Sequence, residues 1–227
     1  GQRQLATAAH DQATLAHARW YARFSTLEVA VPAVGDAPTV AHRQGLNEML
    51  AALERPQVHG EPELVGQLTV AAVLVLRRIG PFETLTNLCE RALALPVSGE
   101  IQVLLYLAAG EAARVTGRVH RALELAEQAV AHAEQGSPLL HAVALDQHSR
   151  TLRRAGGDRG RALEQLTRAR ALHEAVGSSA GAASVAAEHA LALLAIPDFP
   201  AAEALAHEAL ALDPPRTGRR TALRVLG

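Results

Sequence analysis

Gly117-Arg118-Val119-His120-Arg121-Ala122, Gly157-Asp158-Arg159-Gly160-Arg161-Ala162 and Pro197-Asp198-Phe199-Pro200-Ala201-Ala202 recur in this chain with a period of forty. Each opens on a turn-forming residue and reaches an alanine five positions later. A second alanine follows in each, at Ala129, Ala169 and Ala209. Helical patterning flanks every one of them. A helix pair cannot bury its own apolar face, so a recurring pair must stack on its neighbours into a superhelix. A body of that kind holds another molecule more readily than it transforms one.

Outward from these segments, turn residues cut the chain into ten helical stretches in five pairs. The first runs over Leu5–Val29 and ends before Val31-Pro32 and Asp36-Ala37-Pro38. The second covers Thr39–Leu53, with Leu46, Met49, Leu50 and Leu53 at helical spacing. Pro56 to Pro62 reads as a connector. Glu63–Ile79 ends at Gly80-Pro81, and Phe82–Leu95 ends at Pro96. Ser98 is placed to cap the helix Glu100–Thr116. Val119–Glu134 follows, and Pro138, suited to a first helical turn, opens the stretch that reaches Arg154. Arg161–Val176, Ala180–Ala195 and Pro200–Leu212 complete the series. Asp213-Pro214-Pro215 is read as the end of regular structure.

Composition agrees with close helix packing. Of the 227 residues, 49% are apolar, 48 are alanine and only 3% are aromatic. Stability must then come from helix propensity and tight helix approach. The one strand-like run, Thr69–Leu76, sits inside a longer helical pattern. The formal charge is -1, and all 22 basic residues are arginine, so nothing directs this segment to bind nucleic acid. Arg216, Arg219, Arg220 and Arg224 cluster in what reads as a solvated or interdomain tail. The single cysteine, Cys89, excludes an internal disulfide framework and reads as core. No signal peptide or membrane span is visible, since Val70–Leu76 is too short to cross a bilayer, and the expected location is cytoplasmic. Gly1, with no methionine before it, reads as a cleavage scar on a domain of something longer.

The tests for chemistry come back empty. His10 and His17, like His141 and His148, share a helix face but lie about 10 Å apart along the axis, too far to share a zinc. There is no H-E-x-x-H, no G-x-S-x-G elbow and no phosphate-binding loop, and the absence of lysine removes the usual phosphate anchor. No catalytic residue, metal ligand or cofactor is assigned.

The helix pairs resemble tetratricopeptide repeats. The residues that carry the likeness are Asp198-Phe199, Ala202, Ala209 and Asp213-Pro214 in the last pair, Gly157-Asp158, Ala162 and Ala169 in the fourth, and Gly110, Gly117, Ala122 and Ala129 in the third. Near Gly80-Pro81-Phe82 the fit is looser, with Leu85 where the first alanine belongs. The resemblance implies an all-α, right-handed superhelix (an α-solenoid) of about five antiparallel helix pairs. It divides the chain into a degenerate capping repeat over residues 1–62, repeats over residues 63–214 and a basic tail over residues 215–227. The period of forty is longer than the family's usual period of about 34. It resembles that of repeats in large bacterial signal-transduction ATPases and transcriptional activators, where they form the sensor region.

The resemblance also implies a groove whose inner wall is built from the first helix of each pair. Arg77 and Arg78, with Val70 and Leu74, face it from the second pair. Leu107, Glu111 and Arg114 face it from the third, and Gln147, Thr151 and Arg154 from the fourth. The fifth offers Leu191 with Ala187 and Leu194, an apolar lining that the C-terminal tail is placed to cover. Arginine forks grip carboxylates and glutamine bridges backbone groups, so a protein or peptide segment is the expected partner. Trp20, Tyr21 and Phe24 are either a binding hot spot or plain core. Two other readings stay open: a receptor for a small molecule or peptide, and an accessory domain of an enzyme. Alanine-rich faces also leave a homodimer open.

Overall fold

The computed structural model describes residues 2–25, 40–196, 198–212, 214 and 216–227. Among these the chain forms twelve helices and no strand: α1 (Gln2–Ala22), α2 (Val40–Leu53), α3 (Pro56–His59), α4 (Pro62–Ile79), α5 (Phe82–Leu93), α6 (Gly99–Val115), α7 (Val119–Ala133), α8 (Pro138–Arg154), α9 (Arg159–Ala175), α10 (Ser179–Leu193), α11 (Phe199–Ala211) and α12 (Arg216–Leu226). All ten expected helices are present. The first ends at Ala22, short of the expected Val29, and the breaks at Val31-Pro32 and Asp36-Ala37-Pro38 lie outside the described residues.

From α4 onward the helices stack in antiparallel pairs: α4 with α5, α6 with α7, α8 with α9, α10 with α11. Each second helix also packs on the first helix of the next pair. The small residues fall where the helices cross. Ala122, Ala129, Ala162, Ala169, Ala202 and Ala209 are all buried. A methyl group there lets two backbones approach closely without losing helix propensity. Gly110 faces both neighbours. A Cβ on it would lie 2.8 Å from the Gln147 side-chain nitrogen and 3.6 Å from Cβ of Leu125 in α7, so it lets the paired helix approach and makes room for a side chain of the next pair.

α4 is apolar on nearly every side, from Leu64 to Leu76. It packs against α1, α2, α3, α5 and α6, and a helix that is apolar all round is stable only when buried this way. That burial overrides the strand preference of its valines. Pro62 and Pro138 both sit in the first turns of their helices. Asp158 and Asp198 cap α9 and α11 by accepting from the amides of Arg161 and Ala201, at 3.0 and 3.2 Å. Ser98 holds the N-cap position of α6 but caps nothing. Its hydroxyl and amide both donate to Glu63, at 2.8 Å each. The hydroxyl is turned to the neighbouring pair's carboxylate, and the serine ties two pairs together instead.

The turn after α6 places Gly117 at φ 77°, and its counterpart after α8 is Gly156 at φ 68°, not Gly157. Hydrogen bonds agree with that match. Arg118 donates to Ala113, and Gly157 donates to Leu152, the longer bond of a Schellman turn. From Gly99 to Pro138, the starts of α6 and α8, the step is therefore one short of the full period, while α7 and α9 keep it, from Val119 to Arg159.

Two segments depart from expectation. The connector between Pro56 and Pro62 contains α3, pinned by the fully buried Val58. Beyond Pro214 the chain does not end as a tail but forms α12. Gly218, Thr221, Ala222, Val225 and Leu226 recur at helical spacing and lie against α10 and α11. The stripe is there in the sequence, but the prolines before it mask it. α12 thus covers the inner face of the last pair.

Ion pairs tie neighbouring pairs along the second helices. Arg91 meets Glu54 at 2.9 Å, Arg121 meets Glu90 at 3.8 Å, Arg161 meets Glu127 at 3.7 Å and Arg168 meets Glu134 at 3.3 Å. Arg170 is bidentate on Glu208. Such exposed pairs contribute about 0–1 kcal/mol each, so they set register more than stability.

Candidate partner-binding groove

α4, α6 and α8 lie side by side and leave a cavity of about 280 Å³ between them. Val70, Val73, Leu74, Leu104, Leu107, Ala108 and Val143 give it an aliphatic lining. Arg77, Arg78, Glu111, Gln147 and Arg150 add polar groups, and Thr217 of α12 also lines it. Three arginines against one glutamate leave the lining basic.

These polar groups are held in place by their own partners. Arg114 forks onto Glu111 at 2.8 and 2.6 Å. Burial opposes the Glu111 charge, but that fork, helped by Arg150 and Arg77, holds its carboxyl below the usual range. Arg150 is bidentate on Asp146, one turn earlier in α8. Burial works against its charge too, yet Asp146 and Glu188 raise its pKa. Burial lowers the pKa of Arg77, against the pull of Glu111. Gln147 donates to the Leu107 carbonyl at 2.8 Å, bracing α8 on α6.

Of the inner-wall residues expected, Arg77, Arg78, Leu107, Glu111 and Gln147 line the cavity together with Val70 and Leu74. Arg114 stands behind it as the partner of Glu111. Thr151 is buried and donates to the Gln147 carbonyl at 2.8 Å. Arg154 is exposed at the end of α8, and neither it nor Leu191 lines the cavity. The residue missed is Arg150. It stands as far from Glu111 as the start of α8 stands from the start of α6, whereas a uniform period of forty points to Thr151. Arg153 follows from Arg114 by the same step, and it pairs with Glu188 of α10.

The aromatic cluster divides. Trp20 is 45% exposed, with Arg23 stacked 4.1 Å over its ring. Tyr21 and Phe24 pack against the core around Met49, Ala71 and Ala72. Cys89 is buried as expected, and burial followed by Glu90 pushes its thiol up to about 12. An apolar cavity of about 430 Å³, lined by Leu53, Val65 and Leu88 among others, opens between α4 and α5, apart from the groove. Among the described residues, no group of three His, Cys, Asp or Glu residues is placed to hold a metal ion. No helix among them is long and apolar enough to cross a membrane.

Four histidines are held neutral. Burial lowers the pKa of His141, His148, His173 and His189, and nearby arginines add to the effect at His141, His148 and His189. The unfolded chain then takes up protons that the folded chain refuses. Stability is complete above the unfolded pKa of about 6.5 and is lost as pH falls below it. Thermal melts across that range should show a falling midpoint, with a shallower fall in His148→Gln. A midpoint flat down to the carboxylate range would refute this reading.

No protein-family model matches the chain, and no curated protein matches it. Among solved structures, the crystal structure of BtubC (BKLC) from P. vanneervenii is similar to it with a TM-score of 0.64, covering 77% of this chain and 74% of that chain at 17% identity. The fold is a TPR-like all-α solenoid. At that identity the likeness extends to architecture alone.

Proposed function

We propose that this solenoid is a protein–protein interaction module that holds an extended partner segment in the groove between α4, α6 and α8. Residues 1–62 cap it and residues 63–214 carry the repeats. We place it in the bacterial cytoplasm, as the sensor or scaffold region of a transcriptional or signalling regulator. The observation that supports this reading is a basic cavity with an aliphatic floor, its side chains already fixed by partners within the wall. Preorganised side chains lose little entropy when a ligand arrives. The segment that fits presents a carboxylate to Arg77, Arg78 and Arg150 and an aliphatic side chain to Leu74, Leu104 and Val143.

Peptides selected by display against the intact chain should carry that pattern. Arg78 and Thr217 are both exposed, so Arg78→Glu and Thr217→Trp should leave the melting temperature unchanged. Each should weaken a selected peptide by about tenfold or more. Peptides that bind both variants as tightly as the parent chain would place recognition elsewhere.

A further inference from the structure

α12 buries one side against α10 and α11 through Gly218, Thr221 and Ala222, with Val225 and Leu226 half-buried beside them. Its opposite side carries Arg216, Arg220 and Arg224, all exposed. These stand at i, i+4 and i+8, so the three guanidinium groups form one stripe with a rise of about 6 Å per step. Among the described residues, none of the three has an ion pair or hydrogen bond. Elsewhere the chain answers such arginines with glutamates of the neighbouring pair, as Arg91, Arg161 and Arg168 show. Leu223, beside the stripe, is 54% exposed.

We propose that the outer face of α12 docks a helix of a partner protein that carries carboxylates four residues apart and an aliphatic side chain between them. Matching helices repeat their side chains at the same rise, so three forks meet three carboxylates in register and Leu223 finds an apolar neighbour. A phosphate backbone is a poorer fit. α11, which packs beside α12, has no arginine and exposes Glu203, so the basic surface does not continue across that helix. Thr217 of the same helix lines the groove, but none of the three arginines does.

The test uses the full chain with three probes in fluorescence anisotropy: a helical peptide with glutamates four residues apart around leucine, a peptide of the same composition with that spacing scrambled, and a duplex oligonucleotide. The spaced peptide should bind best. Binding should weaken with salt and fall about tenfold in the triple variant Arg216→Glu, Arg220→Glu, Arg224→Glu. A peptide with lysines at the same spacing should then bind that variant. If the triple variant does not fold, Arg220→Glu alone should give a partial loss and a partial swap. Equal affinity for the scrambled peptide, no loss in the variants, or tighter binding of the oligonucleotide would overturn the proposal.

Discussion

Glu188→Ala is expected to destabilise the protein by about 3 kcal/mol and to loosen α12 from the last pair. The Glu188 side chain is only 12% exposed and accepts from Arg153, itself 19% exposed. It also meets the Thr221 hydroxyl of α12 at 3.5 Å. Removing the carboxylate strands the Arg153 cation, whose Nε already has no partner. It also removes a negative charge that supports Arg150 in the groove wall. Each pair contacts only its neighbours, so the damage should stay local. Hydrogen exchange should show lost protection in α10 and α12 with α6 and α7 unchanged. Glu188→Gln keeps the shape and should cost less. Equal loss of protection along the whole solenoid, or no change in stability, would contradict this account.

The second large effect lies at the joint between α9 and α10. A Cβ on Gly181 would fall 2.3 Å from Nδ1 of His173 and 2.7 Å from the Ser178 hydroxyl. His173 is buried and cannot swing away. At the preceding joint the large and small residues are exchanged. Leu140, three residues after the N-cap Ser137, shares a buried cluster with the small Ala133. Gly181, three residues after the N-cap Ser178, lies beside the large His173. Gly181→Leu alone should overpack the joint at a cost of about 3 kcal/mol. His173→Ala alone should leave a void costing about 2 kcal/mol. The double variant rebuilds the earlier joint and should recover most of both losses, giving a coupling of about 2 kcal/mol or more in urea denaturation. Strict additivity would show that the two side chains do not share one space.

The solenoid is legible because its signals are local. Alanines where helices cross and glycines at the positive-φ turns are demanded by backbone approach and by backbone conformation, and both recur along the chain. Pro138 and Cys89 can be placed for the same reason, since a missing N–H and a lone thiol in an apolar stretch each have one comfortable setting. What resists reading is phase. The step from the N-cap Ser98 to Ser137 is one short of the period, and the step from Ser137 to Ser178 is one over. The second helices α7, α9 and α11 keep the period at every step, starting at Val119, Arg159 and Phe199. One residue turns a helix by about 100°. A uniform period therefore points to Thr151 and Arg154 where Arg150 and Arg153 make the contacts. Ser98 reads as a cap because its preferred partner, Glu63, is remote in sequence. α12 hides behind Pro214, although its apolar stripe is plain once the helix is drawn.

The doubled glycine at Gly156-Gly157 holds the residue that separates these two counts. It lets the first helices slide by one position while the second helices keep step, so the convex side is ruled at even intervals and the concave side is not. Two consecutive pairs with nearly the same skeleton thereby offer different chemistry to whatever lies along the axis. In a structure of this sort the lengths of the short turns help to spell the message that the groove displays.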